Sequence, residues 1–313
     1  MGTKLIVSGS PHMHTRESTS RIMWLVALSL APAGLSGIWI FGNQALWIIL
    51  LAIASALITE TGIQLITKRK VSVLDGSAFL TGLLLAYNLG PSVPFWIPIV
   101  GSFVAIALGK MVFGGLGQNI FNPALVGRVF LLASWPKYMT TFIQPLTYDT
   151  VTQATPLALL KEGKAIEHIN YFNLFLGNHS GCIGEVSILA LILGAAFLLL
   201  RGYISWHIPL SFIATTGIFT YLFAGKNLFT GDWVFHILSG GLVLGAFFMA
   251  TDYVTSPLTR KGHIIFGVGC GLLTAVIRVW GGYPEGVSYA ILMMNAAAPL
   301  IDRFTKNRVY GVK

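Results

Sequence analysis

"GKMVFGGLGQN" (109–119) and "AVIRVWGGYPEG" (275–286) say nearly the same thing twice: a basic residue, Val, an aromatic, then Gly-Gly. Each is followed by a stretch of similar core, "NPALVGR" (122–128) and "NAAAPLIDR" (295–303). Upstream, "TGLLLAYNLGPSVP" (81–94) has its counterpart in "LGAFFMATDYVTSP" (244–257), an apolar run that ends in a polar turn with Pro. Three matches in one order make an internal repeat, with halves at 21–135 and 183–303.

The setting of the repeat is a membrane. Of 313 residues, 55% are hydrophobic and 10% charged, and the mean hydropathy is +0.75; a soluble domain carries about 25% charged residues. Ten apolar stretches approach or reach the length that crosses a bilayer: 21–42, 44–66, 77–90, 95–113, 119–135, 183–200, 206–224, 234–250, 262–279 and 286–303. The third and fifth are short and hold Gly, Asn or Pro ("LLLAYNLGP", "NIFNPALVGR"), as broken helices lining a site do. The expectation is an all-α integral membrane fold of ten transmembrane helices. Five per half is odd, so the second half enters from the opposite side, and the two repeats are inverted.

Lys and Arg set the orientation, because cytoplasmic loops retain them. With the N-terminus inside, the inner segments hold Lys4, Arg16, Arg21, Lys68, Arg69, Lys70, Lys110, Arg201, Arg260, Lys261, Arg303, Lys306, Arg308 and Lys313. The outer segments hold only Lys137, Lys161, Lys164 and Lys226. Both termini are expected to be cytoplasmic, and the net charge of +9 reflects this bias rather than nucleic-acid binding. The expected divisions are a cytoplasmic segment 1–20, the two repeats, an outer loop 136–182 between them, and a cytoplasmic tail 304–313.

No Gly-rich phosphate loop, HExxH pair, Ser-His-Asp pattern or CxxC is present, which excludes the common soluble-enzyme chemistries. Cys182 and Cys270 are too few for a cluster made by this chain alone and read as helix-packing residues. Among charged groups in apolar spans, Glu185, His207, Asp302 and Arg278 lie at ends, where they can snorkel or cap. Arg128 lies near the middle of its segment, where an unpaired charge costs at least about 2.5–3.5 kcal/mol; an acidic partner and a ligand phosphate are equal readings. "ATDYVTSPLTRKG" (250–262) offers hydroxyls and amides to a flavin ring or sugar, and reads equally as a capped loop.

One polar run remains, "YDTVTQATPLALLKEG" (148–163). Its "DTVTQATPL" resembles the signature on which flavin transferases of the ApbE type attach FMN: Asp149, Thr152, Ala154 and Thr155 match, while Gln153 stands where Gly is usual. Around it, 4–33, "DGSAFLTGLLLAYNLGP" (75–91), "GGLGQNIFNPALVGRVFL" (114–131) and "MATDYVTSPLT" (249–259) resemble the NqrB/RnfD family of membrane redox subunits, over nearly the whole chain. The RnfD branch is nearer, since the longer N-terminal region expected of NqrB is lacking.

The resemblance implies a urea-channel-like fold and a covalent FMN on Thr155, with Asp149, Thr152 and Ala154 as attachment motif. It also implies work within an ion-translocating ferredoxin:NAD⁺ oxidoreductase of the bacterial cytoplasmic (inner) membrane. Partners would be the other Rnf subunits (A, B, C, E and G), a maturing flavin transferase and membrane lipid, with the flavin loop on the outer face, where such transferases act. Related subunits bind riboflavin without a covalent link, which puts forward Asn122, Arg128, Asp252, Thr255 and Ser256 as a second flavin site. Two alternatives stay open: an NqrB-like subunit of a Na⁺-pumping quinone reductase, and a urea-channel-like solute transporter without redox function.

Overall fold

The structure, a computed structural model, describes residues 17–143, 152–162, 170–225 and 227–306. Fifteen helices run through these residues. The first half contains α1 (Thr19–Ser29), α2 (Ala31–Phe41), α3 (Asn43–Ile66), α4 (Ser77–Tyr87), α5 (Trp96–Ile106) and α6 (Pro123–Ser134). Between the halves lie α7 (Pro136–Thr140), a two-residue antiparallel ribbon of β1 (Phe142–Ile143) and β2 (Thr152–Gln153), α8 (Pro156–Lys161) and α9 (Tyr171–Leu176). The second half contains α10 (Ile188–Leu200), α11 (His207–Phe223), α12 (Trp233–Leu238), α13 (Leu242–Leu244), α14 (Arg260–Trp280) and α15 (Val287–Phe304). Apart from the ribbon, the described secondary structure is helical.

Three helical stretches are long and apolar enough to cross a bilayer: Thr19–Phe41 (α1 and α2 together), α3 and α14. The other apolar helices are shorter because the backbone breaks where the sequence demands it. Pro123 cannot donate an amide, so α6 starts there, and Asn122 caps it by accepting from Ala124 N at 3.1 Å and Leu125 N at 3.4 Å. Leu242 follows Gly240 and Gly241, both at positive φ (71° and 65°), a conformation that other residues adopt at a cost. Large apolar side chains also face outward, Trp39 at 83% and Leu200 at 88% exposure, as a lipid-facing surface requires and a water-facing one does not tolerate in bulk.

The same order of neighbours recurs in the two halves. In the first, α3 packs on α4 and α5, and α5 on α6; in the second, α11 packs on α12 and α14, and α14 on α15. The halves meet where α2 touches α10 and where α6 touches α15. Small residues permit the close approaches: a Cβ on Gly271 of α14 would lie 2.7 Å from Phe212 O of α11, and one on Gly127 of α6 would lie 2.7 Å from Gly101 O of α5.

Each half also carries a five-residue π turn, Ala107–Met111 and Gly245–Met249. The first brings Lys110 inward, and here the structure corrects the charge count. Lys110 is 2% exposed and pairs with Glu60 at 2.6 Å, so it is an interior ion pair and not one of the loop charges that set orientation.

Candidate functional site

Thr155 sits where the segment between the halves is pinned down from several sides. The β1–β2 ribbon holds the chain before it, Ser180 Oγ donates to Ala154 O at 3.0 Å, and Leu157 packs with Leu174 and Phe235. Pro156 opens α8 and Thr155 caps it, its Oγ accepting from Ala158 N at 3.3 Å. Lys161, at the end of α8, donates to Gly281 O and, at 2.8 Å, to Tyr283 O. The Thr155 segment is thereby tied to the second Gly-Gly turn.

That tie creates a small cavity of about 50 Å³ whose lining includes Thr155, Arg128, Glu285, Tyr283 and Met139. Arg128 enters from α6, buried; its Nη1 donates to Asn88 Oδ1 and its Nη2 to Glu285 Oε2, and Nη2 lies 3.9 Å from Cys182 Sγ. The two readings of Arg128 thus meet in one place. It has an acidic partner, Glu285, and it borders the cavity that holds the Thr155 hydroxyl.

A second cavity, of about 90 Å³, lies among α1, α4, α6 and the π turn after α13, and its lining includes Asn122, Asp252, Thr81, Lys110 and Tyr203. Asn122 donates to Met249 O at 3.3 Å, and its backbone N donates to Asn295 Oδ1 at 3.2 Å; Asn295 in turn donates to Thr255 O at 3.1 Å. Thr255 Oγ1 donates to Asp252 Oδ2 at 3.1 Å. Asn122 and Asn295, which open the two stretches matched in sequence, are thus hydrogen-bonded to each other.

The residues named from sequence therefore divide. Asn122 and Asp252 border the larger cavity and Thr255 supports Asp252 from behind, whereas Ser256 does not line it. Arg128 belongs to the Thr155 cavity instead. Ala154 is half-buried, Thr152 lies in β2, and Asp149 falls outside the described residues.

End-of-helix readings fare unevenly. Arg278 donates to the carbonyls of His236, Ser239 (3.0 Å) and Gly240 (3.1 Å) and so caps the end of α12, whereas Asp302 accepts from Leu258 N at 2.9 Å and ties down the turn ahead of α14. Glu185 does not snorkel: it is buried and accepts from Cys182 N at 3.0 Å. Cys182 and Cys270 are free and buried; Cys270 packs within α14, whereas Cys182 lies outside any helix, ahead of α10, and so is not the helix-packing residue expected. Glu285 is the site residue that sequence reading missed; in "GGYPEG" it looks like an ordinary polar turn residue, and its Arg partner is 157 positions away.

Comparison with known proteins gives a consistent result. The model of the NQR2, RnfD, RnfE family matches residues 6–311. The D component of the Na⁺-translocating ferredoxin:NAD⁺ oxidoreductase complex of Acetobacterium woodii is 52% identical, covering 98% of this chain and 96% of the relative. The D component of the proton-translocating ferredoxin:NAD⁺ oxidoreductase complex of Clostridium ljungdahlii is 49% identical, with the same coverage of 98% and 96%. The D component of an ion-translocating oxidoreductase complex of Citrobacter koseri is 37% identical over 97% of this chain and 98% of the relative.

Proposed function

Because the chain belongs to the NQR2, RnfD, RnfE family, we propose that it is the D-type membrane component of an ion-translocating ferredoxin:NAD⁺ oxidoreductase and carries FMN on Thr155. The observation that carries the flavin reading is that the Thr155 hydroxyl and the buried Arg128 guanidinium border one cavity. The residues present fit the phosphate end of the group. A phosphoester needs a hydroxyl, and the guanidinium, whose two terminal nitrogens donate to Asn88 and Glu285, offers the phosphate a positive charge rather than a free fork; the cavity of about 50 Å³ has no room for the isoalloxazine ring, which would lie outside it.

Attachment replaces the Thr155 hydroxyl proton with the phosphoryl group of FMN delivered from FAD, with AMP leaving, on an ApbE-type transferase. Thr155 Oγ needs no new role for this, since it serves α8 as an acceptor and keeps its lone pairs as an ester. Bound FMN supplies electron transfer, and the protein sets its position and surroundings. Arg128 would hold positive charge near the phosphate, and Lys161 keeps the segment docked on the turn that bears Glu285.

The ten apolar stretches, the matching neighbour order of the two halves and the Asn122–Asn295 contact support ten transmembrane helices in two inverted repeats. On that layout Thr155 faces the outside of a bacterial cytoplasmic membrane, both termini face the cytoplasm, and the A, B, C, E and G components of the complex are the partners. Asn122 and Asp252 at the larger cavity, with Thr255 behind Asp252, would meet only one polar end of a noncovalent riboflavin, because a cavity of about 90 Å³ does not hold the whole molecule.

Expression with and without the flavin transferase tests the flavin reading. Denaturing gels should show a fluorescent band for the wild type with transferase and none for Thr155→Val. A Thr155→Val band as bright as the wild type would overturn the assignment.

A further inference from the structure

Behind the Thr155 cavity lies a group of polar atoms that flavin attachment does not use. Cys182, Glu185 and Glu285 each bring one sulfur or carboxylate oxygen into a cluster whose members all lie within 4.8 Å of one another. Two of these residues come from the turn ahead of α10 and one from the turn ahead of α15. Glu185 is 6% exposed; its Oε1 accepts from Cys182 N at 3.0 Å, and its Oε2 has no hydrogen-bond partner. Glycine keeps the space beside that oxygen open, for a Cβ on Gly241 would stand 2.6 Å from Glu185 Oε2.

We propose that Glu185 and Glu285 form a proton-binding site, with the proton resident on Glu185 Oε2 and reaching it from the Thr155 cavity by way of Glu285. Two carboxylates at this spacing do not both stay ionised unless each has a countercharge. Arg128 is engaged with Glu285 and Asn88, and its remaining near neighbour is the Cys182 thiol. Arg278, across Gly240, donates to carbonyls, and the His179 ring lies on the Gly181 side of the Glu185 carboxylate. No cation among the described residues thus answers the free oxygen of Glu185.

A proton suits the site better than a metal ion. Na⁺ and other hard cations require several oxygen ligands, and here a thiol and a guanidinium take up the first positions. With its proton, the set Arg128, Glu285 and Glu185 is neutral; without it, the set carries one negative charge beside Thr155. Glu285 borders the cavity and Glu185 does not, which gives the order of transfer. A single water or a side-chain rotation spans the gap.

Dicyclohexylcarbodiimide, which reacts with protonated carboxyls in apolar surroundings, tests the site in the assembled complex in membranes. The Glu185 peptide should carry an adduct that increases as pH falls, is absent in Glu185→Gln, and is the same in NaCl as in choline chloride. Labelling of another carboxyl of this chain but never of Glu185, or protection of Glu185 by Na⁺, would overturn the proposal, the latter in favour of a metal ion. The melting temperature supplies a readout that needs no reagent access. Glu185→Gln mimics the protonated acid, so at pH 7 the complex should melt within about 2 °C of the wild type, and a larger drop would contradict a resident proton. Neither readout uses flavin, so a Thr155 peptide without FMN would remove the flavin reading and leave this one standing.

Discussion

Both halves of the molecule bury a basic side chain just ahead of a Gly-Gly pair, and they surround it differently. In the first half Lys110 lies 2.6 Å from Glu60 Oε2 and 2.6 Å from Ser77 Oγ, while Gln64 donates to Glu60 Oε1 at 3.1 Å and to Ser72 Oγ at 2.9 Å. None of these side chains keeps a buried atom without a partner. Around Arg278, in the second half and the segment just ahead of it, Arg278 Nε, Glu185 Oε2, His236 Nδ1 and His179 Nδ1 are each buried without one. Leaving such groups unmatched is costly, about 1–3 kcal/mol apiece, so the first cluster reads as a clamp and the second as a place held ready for something that comes and goes.

Breaking the clamp should have the largest effect. Lys110→Met leaves Glu60 buried and unpaired, which should cost about 3–5 kcal/mol, measured as loss of melting temperature in detergent. Adding Glu60→Gln should restore more than half of the loss. A single variant as stable as the wild type would show that the Lys110–Glu60 pair is not a clamp.

Arg128→Gln should cost less, about 1–3 kcal/mol, because Glu285 borders a cavity and can take up water or a proton. Arg128→Lys keeps the charge but loses the fork that reaches both Asn88 and Glu285, and should fall between. The same melting experiment orders the three.

The smallest effect concerns pH. Burial holds His179 down at about 4, below its ordinary value. The unfolded chain therefore binds a proton that the folded chain refuses, and stability present above about pH 6.5 declines as pH falls toward 4. His179→Asn should make that decline shallower, read as melting temperature from pH 7 to pH 5; an unchanged slope would remove His179 from the second cluster.

Much of this was readable in the sequence, for physical reasons that also mark where reading stops. Apolar runs, Pro and Gly act locally, so the breaks at Asn122-Pro123 and the Gly-Gly turns show in the letters themselves. Arg128 stood out because a charge amid an apolar run must have a partner. The partner did not, since Glu285 lies in a turn that looks solvated. Lys110 misled for a related reason: four residues ahead of a Gly-Gly turn it reads as a loop charge, and only the π turn and the distant Glu60 reveal it as interior. Glu185 likewise sits at the start of an apolar stretch, where snorkelling is the default, yet the Cys182 amide holds one of its oxygens and Gly241 closes on the other.

A flavin-phosphate site in the cavity shared by Thr155 and Arg128 requires a covalent flavin on Thr155. Its most direct test is the mass of the peptide containing Thr155 from protein made with the transferase. A gain of FMN less one water, located on Thr155 by fragmentation, is expected; an unmodified peptide, or a flavin located on Thr152, would rule the site out.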